Sequence, residues 1–111
     1  MWSLSDDSLL AGMASGDEEA AAVFVRRFQA RVYGLALGIV RTPTLAEDVA
    51  QEAFVKAWRY AGAYDSRKGH VSGWMMTITR NLAIDAIRSS RQRPVAPDDL
   101  VTLILSREGN E

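Results

Sequence analysis

The residues best suited to chemistry lie in one stretch, GWMMTITRNLAIDAIRSSRQR, from Gly73 to Arg93. Trp74 offers a flat aromatic face that can cap a core or stack on a base, the latter worth about 1–3 kcal/mol. Asn81 presents a donor beside an acceptor, the pair that matches an adenine edge, and arginine forks match guanine or phosphate. At helical spacing Val71, Met75, Ile78, Leu82 and Ala86 form an apolar stripe. Thr77, Arg80, Asn81, Ile84, Asp85, Arg88, Arg91 and Gln92 fall on the opposite side. Arginines at the far end would supply affinity through phosphates, while Asn81 with loop groups would supply discrimination.

Other chemistries lack their residues. There is no cysteine, hence no disulfide framework, thiolate metal site or thiol nucleophile. His70 is the only histidine and sits in a basic loop, where it reads as a surface or loop-ordering residue rather than a general base. Glu47 and Asp48 are adjacent on a helical segment and point to different sides. No glycine-rich phosphate cradle and no metal-ligand spacing occurs. The chain reads as a binding protein, with neither enzymatic activity nor cofactor.

The net charge of −1 conceals an uneven distribution. Residues 1–55 carry eight acids against four arginines, whereas residues 56–93 carry eight bases against Asp65 and Asp85. Residues 94–111 return to acidic, with four acids against Arg107. A basic block beside an acidic one suggests a polyanion on one side only. The N-terminus has acids at Asp6 and Asp7 where a signal peptide would be basic. No run approaches the roughly 18 apolar residues of a membrane span. A soluble, cytoplasmic protein without membrane insertion is expected.

The positioning elements are helical nearly throughout, in a length of 111 residues that suits one domain. Ser5 can cap a short helix through Met13. Ser15 to Glu18 has capping-box spacing and opens a second helix, with Ala21, Phe24, Val25, Phe28, Val32, Leu35 and Ile39 as its stripe. It stops near Val40, ahead of Thr42-Pro43. Thr44 to Glu47 is another capping box, opening a third helix that ends near Tyr60. Gly62 to Gly69 is a polar loop, and a fourth helix runs from about Ser72 to Arg91. The fold class is all-α, a compact bundle of three long helices plus a short N-terminal one. Beyond it, Arg93-Pro94 to Asp99 reads as linker, and the apolar run Leu100 to Leu105 as a docking helix or the start of something further.

The third helix has an alanine-rich apolar face of Ala46, Val49, Ala50, Ala53, Phe54, Ala57 and Trp58. Its other side holds Asp48, Gln51, Glu52, Val55, Lys56 and Arg59. Chemistry alone makes this a solvated face, with Glu52 and Lys56 paired at i, i+4.

AEDVAQEAFVKAW, followed by GWMMTITRNLAIDAIRSSRQRP, closely resembles region two of bacterial RNA polymerase sigma factors, in the extracytoplasmic-function (ECF) group of the sigma-70 family. The resemblance covers about residues 5–95, with Asp48, Gln51, Glu52 and Phe54 as its signature beside Trp74 and Arg80-Asn81. It implies that the third helix docks on the clamp coiled coil of the largest subunit of core RNA polymerase, through Asp48, Gln51, Glu52 and Val55. That reverses the solvated-face reading. It also implies that the loop Tyr64 to Val71 and the fourth helix read and melt the promoter minus-ten element, capturing the non-template single strand with one base flipped out. The DNA-binding residues would be Tyr64, Arg67, Lys68, His70, Trp74, Thr77, Arg80, Asn81, Arg88 and Arg91. Housekeeping sigma factors carry a denser aromatic cluster than Trp74-Met75-Met76, which suggests weaker and more promoter-restricted melting here. An anti-sigma factor is a further partner that the resemblance implies. Residues 1–93 would be region two and 94–111 the start of an interdomain linker, with the helix-turn-helix region four domain absent. The chain is thus expected to be an isolated N-terminal domain.

Two rival readings make different demands. A small helix-turn-helix repressor needs a short turn between its helices, and the loop from Gly62 to Gly69 is too long. A helical interaction module has no use for the arginine-rich end, so salt-sensitive nucleic-acid binding separates it from the sigma reading.

Overall fold

The computed structural model describes residues 4–92, with side chains through Ser89. Helices α1 (Asp6–Ala14), α2 (Glu18–Val40), α3 (Pro43–Tyr60) and α4 (Val71–Gln92) account for the architecture, with 3-10 turns at Ala61–Ala63 and Ser66–Lys68 between α3 and α4. The expected all-α bundle is borne out. Arg93, the linker reading of 94–111 and the run Leu100 to Leu105 lie outside the described residues. No described helix is long and apolar enough to cross a membrane.

The caps correct two sequence expectations. Ser5 accepts from the Ser8 N–H and starts α1 as foreseen. Ser15, however, closes α1, and it is Asp17 whose carboxylate accepts from the Glu19 and Ala20 N–H groups to open α2. An aspartate adds charge against the positive helix N-terminus, which a serine two residues earlier cannot do. Helix α3 begins at Pro43, behind Thr42, with no side-chain cap. Proline at the first helical position has its φ preset and lacks the N–H that a cap would satisfy, so no box at Thr44 is needed.

The core is built where the four helices meet. Phe24 and Phe28 of α2 are fully buried with ring centroids 4.7 Å apart, and Phe54 of α3 meets Phe24 edge-on at 6.2 Å. Leu9, Leu10 and Met13 of α1 close one end. Ala46, Ala53 and Ala57 are wholly buried and let α3 approach closely, as the alanine-rich face predicts. On α2 the buried stripe runs through Val32, Ala36 and Val40, leaving the expected Leu35 and Ile39 only half-buried. Gly12 marks the tightest contact, because a Cβ there would stand 2.8 Å from the Ala20 Cβ. Helix α2 ends on Arg41 in the left-handed region at φ 62°, its N–H donating to Leu37 O at 2.8 Å.

Trp58 is the main departure. It lies at the edge of the alanine-rich face and is 44% exposed, so it belongs to the outer side of α3 rather than to the core. Successive helical residues advance about 100°, which puts Trp58 beside Gln51 and within a turn of Val55.

Candidate nucleic-acid interface

An open cleft of about 660 Å³ forms where the loop after α3 meets the first three turns of α4. Trp74, Thr77, Ile78 and Asn81 supply its helical wall, and Tyr64, Asp65, Lys68 and His70 its loop wall. Helical periodicity explains the first set. Positions 74, 77, 78 and 81 recur at three- and four-residue steps and share one flank of α4, while Met75, Thr79, Leu82 and Ala83 face the core.

The loop is held by hydrogen bonds among its own residues. The Asp65 carboxylate accepts from the Arg67 backbone N–H at 3.0 Å and from Arg67 Nε at 3.1 Å. The Arg67 guanidinium, then its backbone N–H, hold the Asp65 carboxyl below its ordinary pKa. The Lys68 N–H donates to Asp65 O at 3.0 Å, and the Tyr64 hydroxyl donates to Gly69 O at the same distance. The Tyr64 and Trp74 rings meet edge-on, centroids 5.5 Å apart, across the base of the cleft. Partial burial and then the Asp7 and Asp65 carboxylates raise the Tyr64 phenol above its ordinary value.

Thr77 and Thr79 show how a shared residue type divides its work. Each hydroxyl donates to the carbonyl four residues back, Thr77 to Gly73 at 2.8 Å and Thr79 to Met75 at 2.9 Å. Thr79 is thereby satisfied inside the core. Thr77 is exposed on the cleft wall, and with its proton committed it offers the cleft an acceptor. Asn81, one turn on, adds an amide with both donor and acceptor.

Of the ten residues expected to meet DNA, six converge on the cleft: Tyr64, Lys68, His70, Trp74, Thr77 and Asn81. Arg67 is outside it, paired with Asp65 and 89% exposed. Arg80 is exposed but about 100° around the helix from Asn81, which splits the single polar stripe expected from sequence. Arg88 is exposed two turns beyond Asn81, and Arg91 lies in the last turn of α4. Sequence reasoning missed Lys56 and Ile78 as cleft residues. The expected pair of Lys56 with Glu52 is not among the ion pairs of the described residues; Lys56 lines the cleft instead. Membership of the basic block 56–93 was the available signal. Asp48, Gln51, Glu52 and Val55 are all exposed on the far side of α3, and Val55, at 53%, is an apolar side chain left in solvent.

A cleft with a hydrogen-bonded loop, an aromatic wall and amide and hydroxyl groups at its edge has the shape and polar groups to receive a planar group. Comparison with known families places residues 24–93 in Sigma-70 region 2. The chain belongs to that family. It is 36% identical over 85 residues to the ECF RNA polymerase sigma factor SigK of Mycolicibacterium vanbaalenii, a match covering 77% of this chain and 43% of the relative. With the SigK of Mycobacterium tuberculosis H37Ra the identity is 35% over 82 residues, covering 74% of this chain and 44% of the relative. The chain thus spans less than half the length of these relatives. Among solved structures it resembles an engineered region 2 of sigmaE in complex with GTAAAA, with a TM-score of 0.71 and 30% identity. That likeness covers 83% of this chain and 96% of the other. The expected ECF sigma-70 region 2 assignment is borne out.

Proposed function

We propose that this domain serves transcription initiation, binding core RNA polymerase through α3 and holding the opened non-template strand of the promoter minus-ten element on the loop and α4. The observation that carries the reading is the cleft: a volume of about 660 Å³ suits a planar ligand, and Trp74 and Asn81 line it together. Extruding a base costs a few kcal/mol, which stacking and edge hydrogen bonds in such a cleft would offset. Lys56 and Lys68 lie at its rim to meet phosphates, with Arg80, Arg88 and Arg91 further along α4 for the strand's continuation. The related sigmaE domain, solved with GTAAAA, supports the ligand class.

Asp48, Gln51, Glu52 and Val55 are the proposed polymerase contacts, with Trp58 added by its exposure on the same side. The clamp coiled coil of the largest subunit is the partner this helix face would meet. An anti-sigma factor would compete for exposed faces of this kind, and a cytoplasmic location follows from the polymerase as partner.

The deciding experiment titrates the domain with a minus-ten hexamer such as GTAAAA and its single-base variants, as single strand and as duplex. Tighter binding of one single strand than of its duplex is the expected result. Equal affinity for both forms of every sequence would refute strand capture.

A further inference from the structure

Tyr64 borders two hollows at once. One is the cleft; the other, about 320 Å³, lies behind the loop against α1, where Asp7, Leu10, Gly62 and Ser66 line it. The Tyr64 ring is engaged edge-on with Trp74, and its hydroxyl ties the start of the loop to its end at Gly69 O. Gly69 has φ 154° and ψ −156°, a conformation open to glycine and strained for other residues. A Cβ at Gly69 would meet nothing within 4 Å, so the requirement there is torsional rather than steric.

We propose that Tyr64 is a positioning residue for base recognition: its hydroxyl fastens the loop 64–69 into one turn, and its ring sets the attitude of Trp74. The cleft then stands in its receiving shape before the strand arrives. This rests on the cleft being a base pocket. A tyrosine that acted by stacking on the base would need its ring and could lose its hydroxyl without harm. Here the hydroxyl is the part that closes the loop, while the ring is already in contact with Trp74. Preorganisation of this kind acts on selectivity, because a loop that must be ordered by the ligand accepts several bases in several shapes.

The test uses the 111-residue chain and two substitutions, Tyr64→Phe, which removes the hydroxyl alone, and Gly69→Ala, which strains the loop without a clash. Amide exchange is read by NMR in the absence of nucleic acid, with α2 amides around Phe28 as the control for folding. One net hydrogen bond lost predicts exchange about three- to tenfold faster at the Arg67 and Lys68 amides, the two in the loop that are hydrogen-bonded to Asp65, with α2 unchanged. The ratio of affinities between the preferred single-stranded hexamer and its single-base variants should fall by a similar factor of about three to ten. The double substitution should do less than the two effects combined, since both act on one closure. Parental loop exchange in Tyr64→Phe overturns the proposal, as does a changed exchange with an unchanged affinity ratio. If the parent chain prefers no base, the base-pocket reading itself fails, a result visible without either variant.

Discussion

The cleft at α4 and the outer face of α3 are both exposed and polar, yet only one declares itself by shape. In the cleft, side chains from α3, the loop and α4 converge, and hydrogen bonds around Asp65 and Tyr64 fix the loop that carries half of them. On α3, Asp48, Gln51, Glu52 and Val55 radiate from a convex helix with no such convergence. A concave site concentrates several groups on one ligand, so its geometry is evidence in itself. A convex face gains its meaning from the partner that covers it, and the exposed Val55 and Trp58 are the apolar side chains that the proposed polymerase contact would cover.

The largest effect should come from removing the aromatic wall. Trp74→Ala is expected to cost about 2–3 kcal/mol in single-strand affinity, the upper part of the range for one stacked base, in a fluorescence-anisotropy titration. Loss of under twofold would make Trp74 a core cap only and bring the cleft down to the level of the α3 face. Next, Asn81→Ala should lower discrimination among bases by about 1–3 kcal/mol without unfolding the domain, because the side chain is exposed. A melting temperature that drops while base preference stays constant would contradict that role.

Glu52→Ala tests the convex face. Binding of the chain to core RNA polymerase should weaken by about 1 kcal/mol or more if this is an interface centre, with the melting temperature nearly unchanged. Equal affinity for variant and parent would return α3 to a solvated surface. Arg88→Gln should weaken all sequences alike and flatten the log–log salt dependence by about 0.7 for a single strand. A loss restricted to one sequence would instead make Arg88 a base reader.

The smallest effect is on acidity. Asp65 has a folded pKa below its unfolded value, so its contribution to loop order is present above the ordinary carboxylate value of about 3.9 and is lost as pH falls through the depressed one. Chemical shifts of Arg67 and Lys68 followed from pH 5 downward should therefore move together, late in the titration. Substituting Asp65→Asn should abolish that transition, and its persistence would mean that another carboxylate closes the loop.

Periodicity and composition settled the helix count, the approximate bounds, the alanine-rich side of α3 and the basic character of the loop and α4, because each depends on residues close in sequence. The resemblance carried by Asp48, Gln51, Glu52, Trp74 and Asn81 gave the family, which the chemistry of the α3 face could not have done. Tertiary structure decided matters that depend on residues brought from elsewhere. Whether Trp58 caps the core or faces solvent turns on a rotation of α3 that a stripe of alanines leaves undetermined. The bond from Tyr64 to Gly69 and the arrival of Lys56 at the cleft that Asn81 lines required the loop and two helices to be in place. The division of Arg80 from Asn81 followed likewise, since a polar residue's neighbours across a cleft are fixed only when the buried side of its helix has been chosen by packing.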